Sequence, residues 1–136
     1  MIDKEIIKIA SNTENHGVLD NHTHSSKLKN AICGDEMKIY LMVKGDKITN
    51  FKYECESCIY CQASVSLLSR KAKNKLIEKV KGFSQQAKGC FDKSVNSFDK
   101  EWKEFDKIIR KNNISRKECL LLPINTTLDA LNKKSL

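Results

Sequence analysis

One region of the chain alternates apolar and polar residues with a period of two. Phe51, Tyr53 and Cys55 are separated by Lys52 and Glu54, the signature of a strand with one buried and one wet face. Lys38–Val43 reads as the preceding strand, 44–47 as a hairpin turn around Gly45, and Ile48–Cys55 as the return. The polar stretch Val18–Lys29 accommodates a short edge strand. Helical spacing dominates elsewhere. Ile6, Ile7, Ile9 and Ala10 place a short helix over Asp3–Ser11, ended by the turn-rich Ser11–Gly17. A second helix starts at Ile59 with Ser57 as candidate N-cap, turns Ala63, Leu67 and Leu68 inward, and ends near Arg70. Leu76, Ile77, Val80 and Phe83 mark a third, after which Gly82–Asn96 reads as an irregular insertion.

Ser97 is the expected cap of a helix carrying Glu101 in its first turn, then Trp102, Phe105, Ile108 and Ile109, ended by Asn112-Asn113. Ser115-Arg116-Lys117-Glu118 fits a capping box, which puts Cys119 in the first turn of the last helix, with Leu128 and Leu131 on its buried side. Pro123 lacks the N–H that would reach the Cys119 carbonyl, so this helix either kinks there or begins near Leu122. Without repeats or a linker, residues 1–136 are predicted to form one α+β domain. It holds a small antiparallel sheet of about three strands against about four to six helices.

The net charge of +8 invites a nucleic-acid reading. Only Arg70, Arg110 and Arg116 of the 25 cationic residues are arginine, however, and the lysines are interleaved with acids, as in Asp99-Lys100-Glu101. That is the pattern of solvated helix faces, so no nucleic-acid partner is expected. Met1–Ala10 has no signal-peptide character, and no apolar run approaches the ~20 residues of a membrane helix. A soluble, cytoplasmic protein without a membrane partner is expected. In that compartment six cysteines point to metal or sulfur chemistry rather than a disulfide framework.

The candidate chemistry centres on Asn30–Asp35, where Cys33-Gly34-Asp35 sets a thiol beside a flexible backbone and a carboxylate. Antiparallel pairing of the hairpin brings residues near 35 and 58 to the same end of the sheet. Cys58 and Cys119 each fall at a helix start, where thiolate is favoured. Cys33, Cys58, Cys119 and Asp35 make a four-donor set suited to zinc or to iron–sulfur chemistry, the carboxylate being the weak, exchangeable member. A competing pattern, Cys55-x-x-Cys58-x-x-Cys61, copies the run of cluster-binding ferredoxins, with Cys33, Cys90 or Cys119 as a fourth ligand. Core burial is the plainer reading of Cys55. Cys61 reads as a core residue, spare thiol or outer neighbour of the site, and Cys90 as an incidental thiol. His22 and His24 read as exposed loop residues.

These motifs, in this order, resemble the NifU N-terminal / IscU / SufU family of iron–sulfur cluster assembly proteins across nearly the whole chain. The segment Asn12–Gly17, the corner Cys33-Gly34-Asp35, Cys58 with Ala63-Ser64-Val65-Ser66, and Cys119 before Leu120–Leu131 each match a family motif. Glu118 stands where IscU-type members carry histidine, no Leu-Pro-Pro-Val-Lys motif precedes Cys119, and Arg116-Lys117-Glu118-Cys119 is similar to the Arg-x-x-Cys of the SufU type. The resemblance implies zinc on Cys33, Asp35, Cys58 and Cys119, and the chain's departures from the family leave Cys55 and Cys61 as candidate extra donors. It implies Cys33 as acceptor of persulfide sulfur from a PLP-dependent cysteine desulfurase of the SufS or IscS type, with Asp35 and Arg116 in the transfer. An IscU-like scaffold that builds a transient [2Fe–2S] cluster from iron and passes it to apo iron–sulfur proteins or carriers is the alternative. Either way the chain is expected to be an assembly protein or sulfur carrier rather than an enzyme. Two departures stand out. Family glycines before the second cysteine are Cys55 and Ser57 here, predicting a stiffer loop, and family prolines are Thr13 and Ala31.

Overall fold

The hairpin forms where the alternation places it. In this computed structural model, which describes residues 3–32, 34–92 and 97–133, β1 (His24–Lys29), β2 (Glu36–Lys44) and β3 (Lys47–Glu56) form one antiparallel sheet in the order β1-β2-β3. Gly45 turns the hairpin at φ 62°, a left-handed value that only glycine adopts without strain. Met37, Ile39 and Leu41 lie opposite Cys55, Tyr53 and Phe51, so these six side chains share a face. All but the half-buried Cys55 are buried.

Helices α1 (Lys4–Ala10), α2 (Ile59–Ala72), α3 (Ile77–Asp92) and α4 (Lys117–Asn132) complete the α+β architecture, with two 3-10 helices, Lys100–Lys107 and Lys111–Arg116. The expected mix of a three-stranded sheet and several helices is thus observed. α2 and α4 pack on the sheet and on each other, and α1 covers α2. Among the described residues no helix is long and apolar enough to cross a membrane.

Several local expectations fail for identifiable reasons. Most of Gly82–Asn96 is not an irregular insertion: α3 runs to Asp92, because Val80, Phe83, Ser84, Ala87, Cys90 and Phe91 fall three and four apart and bury one stripe. Residues 93–96 lie outside those described. Cys90 is accordingly a core residue, and burial pushes its thiol pKa up. The segment after Ser97 is a 3-10 helix with Asp99 at its N-cap position, where it makes no capping bond, rather than an α-helix capped by Ser97. In a 3-10 helix residues three apart eclipse, which sets Trp102 and Phe105 side by side against Phe83, with ring centres 4.4 and 4.5 Å from it. Glu101 does occupy the first turn. Arg116 holds the N-cap position of α4 without a side-chain capping bond, so there is no Ser115 capping box, and the helix continues from Lys117 past Pro123 to Asn132. A start near Leu122 is therefore excluded.

Lys71 on α2 pairs with Glu104 at 2.7 Å. That hydrogen bond holds the Glu104 carboxyl below its ordinary range. Its folded pKa lies under its unfolded one, so the pair's stabilisation is present above the unfolded value and is lost as pH falls through the folded value. Both side chains are substantially exposed, which keeps the effect small. Glu104→Gln is expected to narrow the difference in melting temperature between about pH 6 and about pH 3, measured by circular dichroism.

Candidate metal centre

A tight loop sets Asp35 in place. The Asn30 N–H donates to the Asp35 carbonyl at 2.7 Å, the Gly34 N–H to the Asn30 carbonyl at 2.8 Å, and the Ile32 N–H to Asn30 Oδ1 at 2.9 Å. Gly34 holds φ 76° with open space around its α-carbon, so the backbone angle rather than crowding selects glycine here. Glu36 pairs with Glu56 at the sheet end, which delivers Cys58 beside Asp35 as the hairpin argument required. Cys33 itself lies outside the described residues.

Cys58, not Ser57, is the N-cap residue of α2, and its thiol makes no capping bond. The Cys58 N–H instead donates to Asp35 Oδ1 at 3.0 Å. An anion from a distant part of the chain thus occupies the helix N-terminus, where donors are unpaired and the dipole favours negative charge. Cys119 is in the first turn of α4, as expected, and is buried.

One carboxylate oxygen of Asp35 and the sulfurs of Cys58 and Cys119 all lie within 4.8 Å of one another. Three of the four donors picked out in the sequence therefore converge, from a loop and two helix starts. Asp35 is 6% exposed, yet its Oδ2 has no hydrogen-bond partner among the described residues. A buried, unsatisfied carboxylate oxygen is costly unless a cation or donor completes it. Two soft thiols and one such oxygen suit zinc or iron, whose ligands sit about 3.5–4 Å apart around a tetrahedral ion. The residues fit a metal.

Contacts not apparent in the sequence hold this geometry. The Arg116 guanidinium lies over the Tyr60 ring, 4.9 Å from its centre, joining the start of α4 to the first turn of α2. Ser64 Oγ donates to the Leu120 carbonyl at 2.7 Å inside the same interface. Ser66 Oγ donates to the Asn12 carbonyl at 2.6 Å, and Ser69 Oγ accepts from Asn15 Nδ2 at 3.1 Å, so α2 also fixes the loop after α1. The available signal was that Ser64, Ser66 and Ser69 interrupt an otherwise apolar, inward-facing stretch of α2.

The run Cys55, Cys58 and Cys61 does not close on one point: among the described residues only Cys58 of the three belongs to the donor group. Cys55 sits on the inward face of β3, and Cys61 is wholly buried. Burial pushes both thiols up, tempered by the neighbouring Ser57 hydroxyl. No disulfide joins any two of the described cysteines. His22 lies in an exposed turn with Nδ1 2.7 Å from the Leu19 carbonyl, and His24 opens β1 beside Thr23. Neither joins a metal-donor group among the described residues.

Comparison with known proteins identifies the family. A family model described as NifU-like N terminal domain matches residues 1–89. The chain belongs to that family. The iron-sulfur cluster assembly scaffold protein IscU of Thermotoga maritima is 28% identical to this NifU-like chain over 135 residues, 99% of the chain and 95% of its own length. The zinc-dependent sulfurtransferase SufU of Bacillus subtilis is 34% identical over 67 residues, 49% of the chain and 45% of its own length. In fold, the crystal structure of a NifU-like protein (N-terminal) from Brucella abortus superposes with a TM-score of 0.89 at 18% identity, covering 95% of this chain and 90% of that one.

Proposed function

We propose that this NifU-like protein serves iron–sulfur cluster assembly by accepting sulfur from a PLP-dependent cysteine desulfurase, in the manner of a SufU-type protein, at a site made by Cys33, Asp35, Cys58 and Cys119. The convergence of Asp35, Cys58 and Cys119, with one buried carboxylate oxygen left bare, carries the reading. These residues would hold zinc, which would supply the charge that keeps the thiols deprotonated. Asp35 would be the exchangeable donor of the set, because its Oδ1 is already engaged by the Cys58 N–H and a carboxylate oxygen binds a soft ion more weakly than a thiolate does. The Cys33 thiolate attacks the outer sulfur of the desulfurase persulfide. The bond between the two persulfide sulfurs breaks and the desulfurase thiolate leaves. Arg116 is a positioning residue: its stacking on Tyr60 keeps Cys119 facing Cys58.

The nearly full-length likeness to an IscU scaffold supports a second reading, in which a [2Fe–2S] cluster is built on the same residues and passed to apo proteins or carriers. Protein purified without added iron separates the two. Sulfur acceptance predicts a single zinc per chain and stimulation of a cysteine desulfurase that vanishes in Cys33→Ala. A protein that carries iron and leaves the desulfurase unstimulated is a scaffold instead.

A further inference from the structure

The outer edge of β3 is covered only in part. At Tyr53 the N–H donates to the Asn15 carbonyl at 3.2 Å, and the carbonyl accepts from the Gly17 N–H at 2.8 Å. These bonds make a parallel bridge through His16, after which Gly17, at φ 141°, turns the chain away. In an antiparallel pair, residues two apart present their backbone groups to the same side. Cys55, opposite Met37, therefore points its N–H and carbonyl away from β2, as Tyr53 does opposite Ile39. Among the described residues no hydrogen bond reaches either group. The space beside them is open. Cys55 and His16 line both a cavity of about 220 Å³ with Tyr53 and Gln62 and another of about 340 Å³ with Glu36, Glu54 and Glu56.

A strand edge with a bare donor and a bare acceptor is a template for one more extended segment. Its position says what that segment carries. Cys58 is three residues further on, at most about 11 Å of chain, and its N–H is bonded to Asp35. A segment paired at Cys55 thus brings its neighbouring residues to the donor group. The larger cavity adds a charge. Lys27 pairs with Glu36 at 3.2 Å, and Glu54 accepts from the Tyr40 hydroxyl at 2.7 Å. Glu56, by contrast, is exposed, has no ion pair among the described residues and stands opposite Glu36. Like charges face to face cost stability, and a cation from outside offsets that cost. We propose that the β3 edge at Cys55 is the docking point for the cysteine desulfurase. Its persulfide-bearing segment, extended and carrying a lysine or arginine, adds to this sheet as a further strand. The inference rests on the sulfur-accepting reading above. Main-chain bonds at Cys55 fix the register of the segment, and an ion pair at Glu56 favours a basic one.

The test adds the PLP-dependent cysteine desulfurase of the same organism to the full-length chain and reads hydrogen exchange at single amides by mass spectrometry. In the free chain the Cys55 amide is expected to exchange about tenfold faster or more than its ladder-bonded neighbour Glu54. In the complex it should slow by about tenfold or more. Cys55→Pro removes that N–H and no ladder bond, and should bind the desulfurase roughly tenfold more weakly than Cys55→Ala by calorimetry. Glu56→Lys should bind roughly tenfold more weakly than wild type. A complex in which the Cys55 amide still exchanges freely overturns the docking proposal and leaves the sulfur-accepting reading standing. A Cys55→Pro chain that binds like Cys55→Ala does the same. Protection that rises with the concentration of this chain alone assigns the edge to a second copy of it and overturns the proposal. Wild-type chain that neither binds nor stimulates the desulfurase overturns the sulfur-accepting reading as well. Exchange on the wild type keeps the test decisive if Cys55→Pro fails to fold.

Discussion

Asp35→Ala is expected to retain an assembled [2Fe–2S] cluster longer than wild type, slowing transfer to an apo ferredoxin on the order of tenfold, while melting at a lower temperature. The two effects come from different oxygens of one carboxylate. Oδ2 is the bare oxygen available to a metal, and its loss removes the exchangeable donor and with it the route by which the site opens. Oδ1 accepts from the Cys58 N–H, so its loss uncaps α2. A lost cap costs about 0.5–2 kcal/mol, or a fall of several degrees in melting temperature for a chain of this size. Asp35→Asn separates the effects: it can keep an acceptor for Cys58 while offering the metal no anionic oxygen. The expected pattern is near-wild-type melting with slowed transfer, read by absorbance of the cluster and by calorimetry. Cluster loss faster than wild type in either variant would remove Asp35 from the exchangeable role.

Phe83→Ala is expected to be the most damaging single change outside the site. Phe83 is 1% exposed and lies at the hub of an aromatic group, with ring centres of Trp102, Phe105 and Phe98 at 4.4, 4.5 and 5.3 Å. Removing a buried ring of this kind costs about 3–5 kcal/mol, enough to lower the melting temperature by roughly 10–20 °C. The aromatic group also anchors the 3-10 segment Lys100–Lys107, and the chain runs from there through Lys111–Arg116 into Cys119. Bound metal should therefore be lost together with tertiary structure on heating, at the lowered temperature. A Phe83→Ala chain that melts within a few degrees of wild type would show that the cavity refills and that the aromatic group is not the anchor.

What could be read from the sequence was whatever depended on strict periodicity. Phe51, Tyr53 and Cys55 announced the inward face of β3, and the hairpin register then placed residue 58 beside residue 35 without further information. In two places residue preference points away from the structure that forms. In α3, Gly82, Ser84, Gln85 and Gln86 suggested a loop, yet the stripe Val80, Phe83, Ala87, Cys90 and Phe91 was helical throughout, and burial of that stripe outweighed the weak propensities. At α2, Ser57 was the better cap by composition, but Asp35 supplies the acceptor from 23 residues away, a tertiary contact that no local window contains. The serines of α2 show the same limit from another side. Their spacing was visible, but that Ser64 ties α2 to α4 and Ser66 ties it to Asn12 depends on which neighbours the fold brings.

The convergent donors come from positions 35, 58 and 119, and the last belongs to α4, the final helix described. A chain leaving the ribosome thus completes its sheet and α2 well before the third donor emerges and docks. Until then Cys119 is missing from the four proposed donors, which leaves the tetrahedral coordination of an ion incomplete. Metal capture would then mark the end of folding rather than guide its beginning, and a nascent or truncated chain would be protected from taking up a stray ion before α4 is in place.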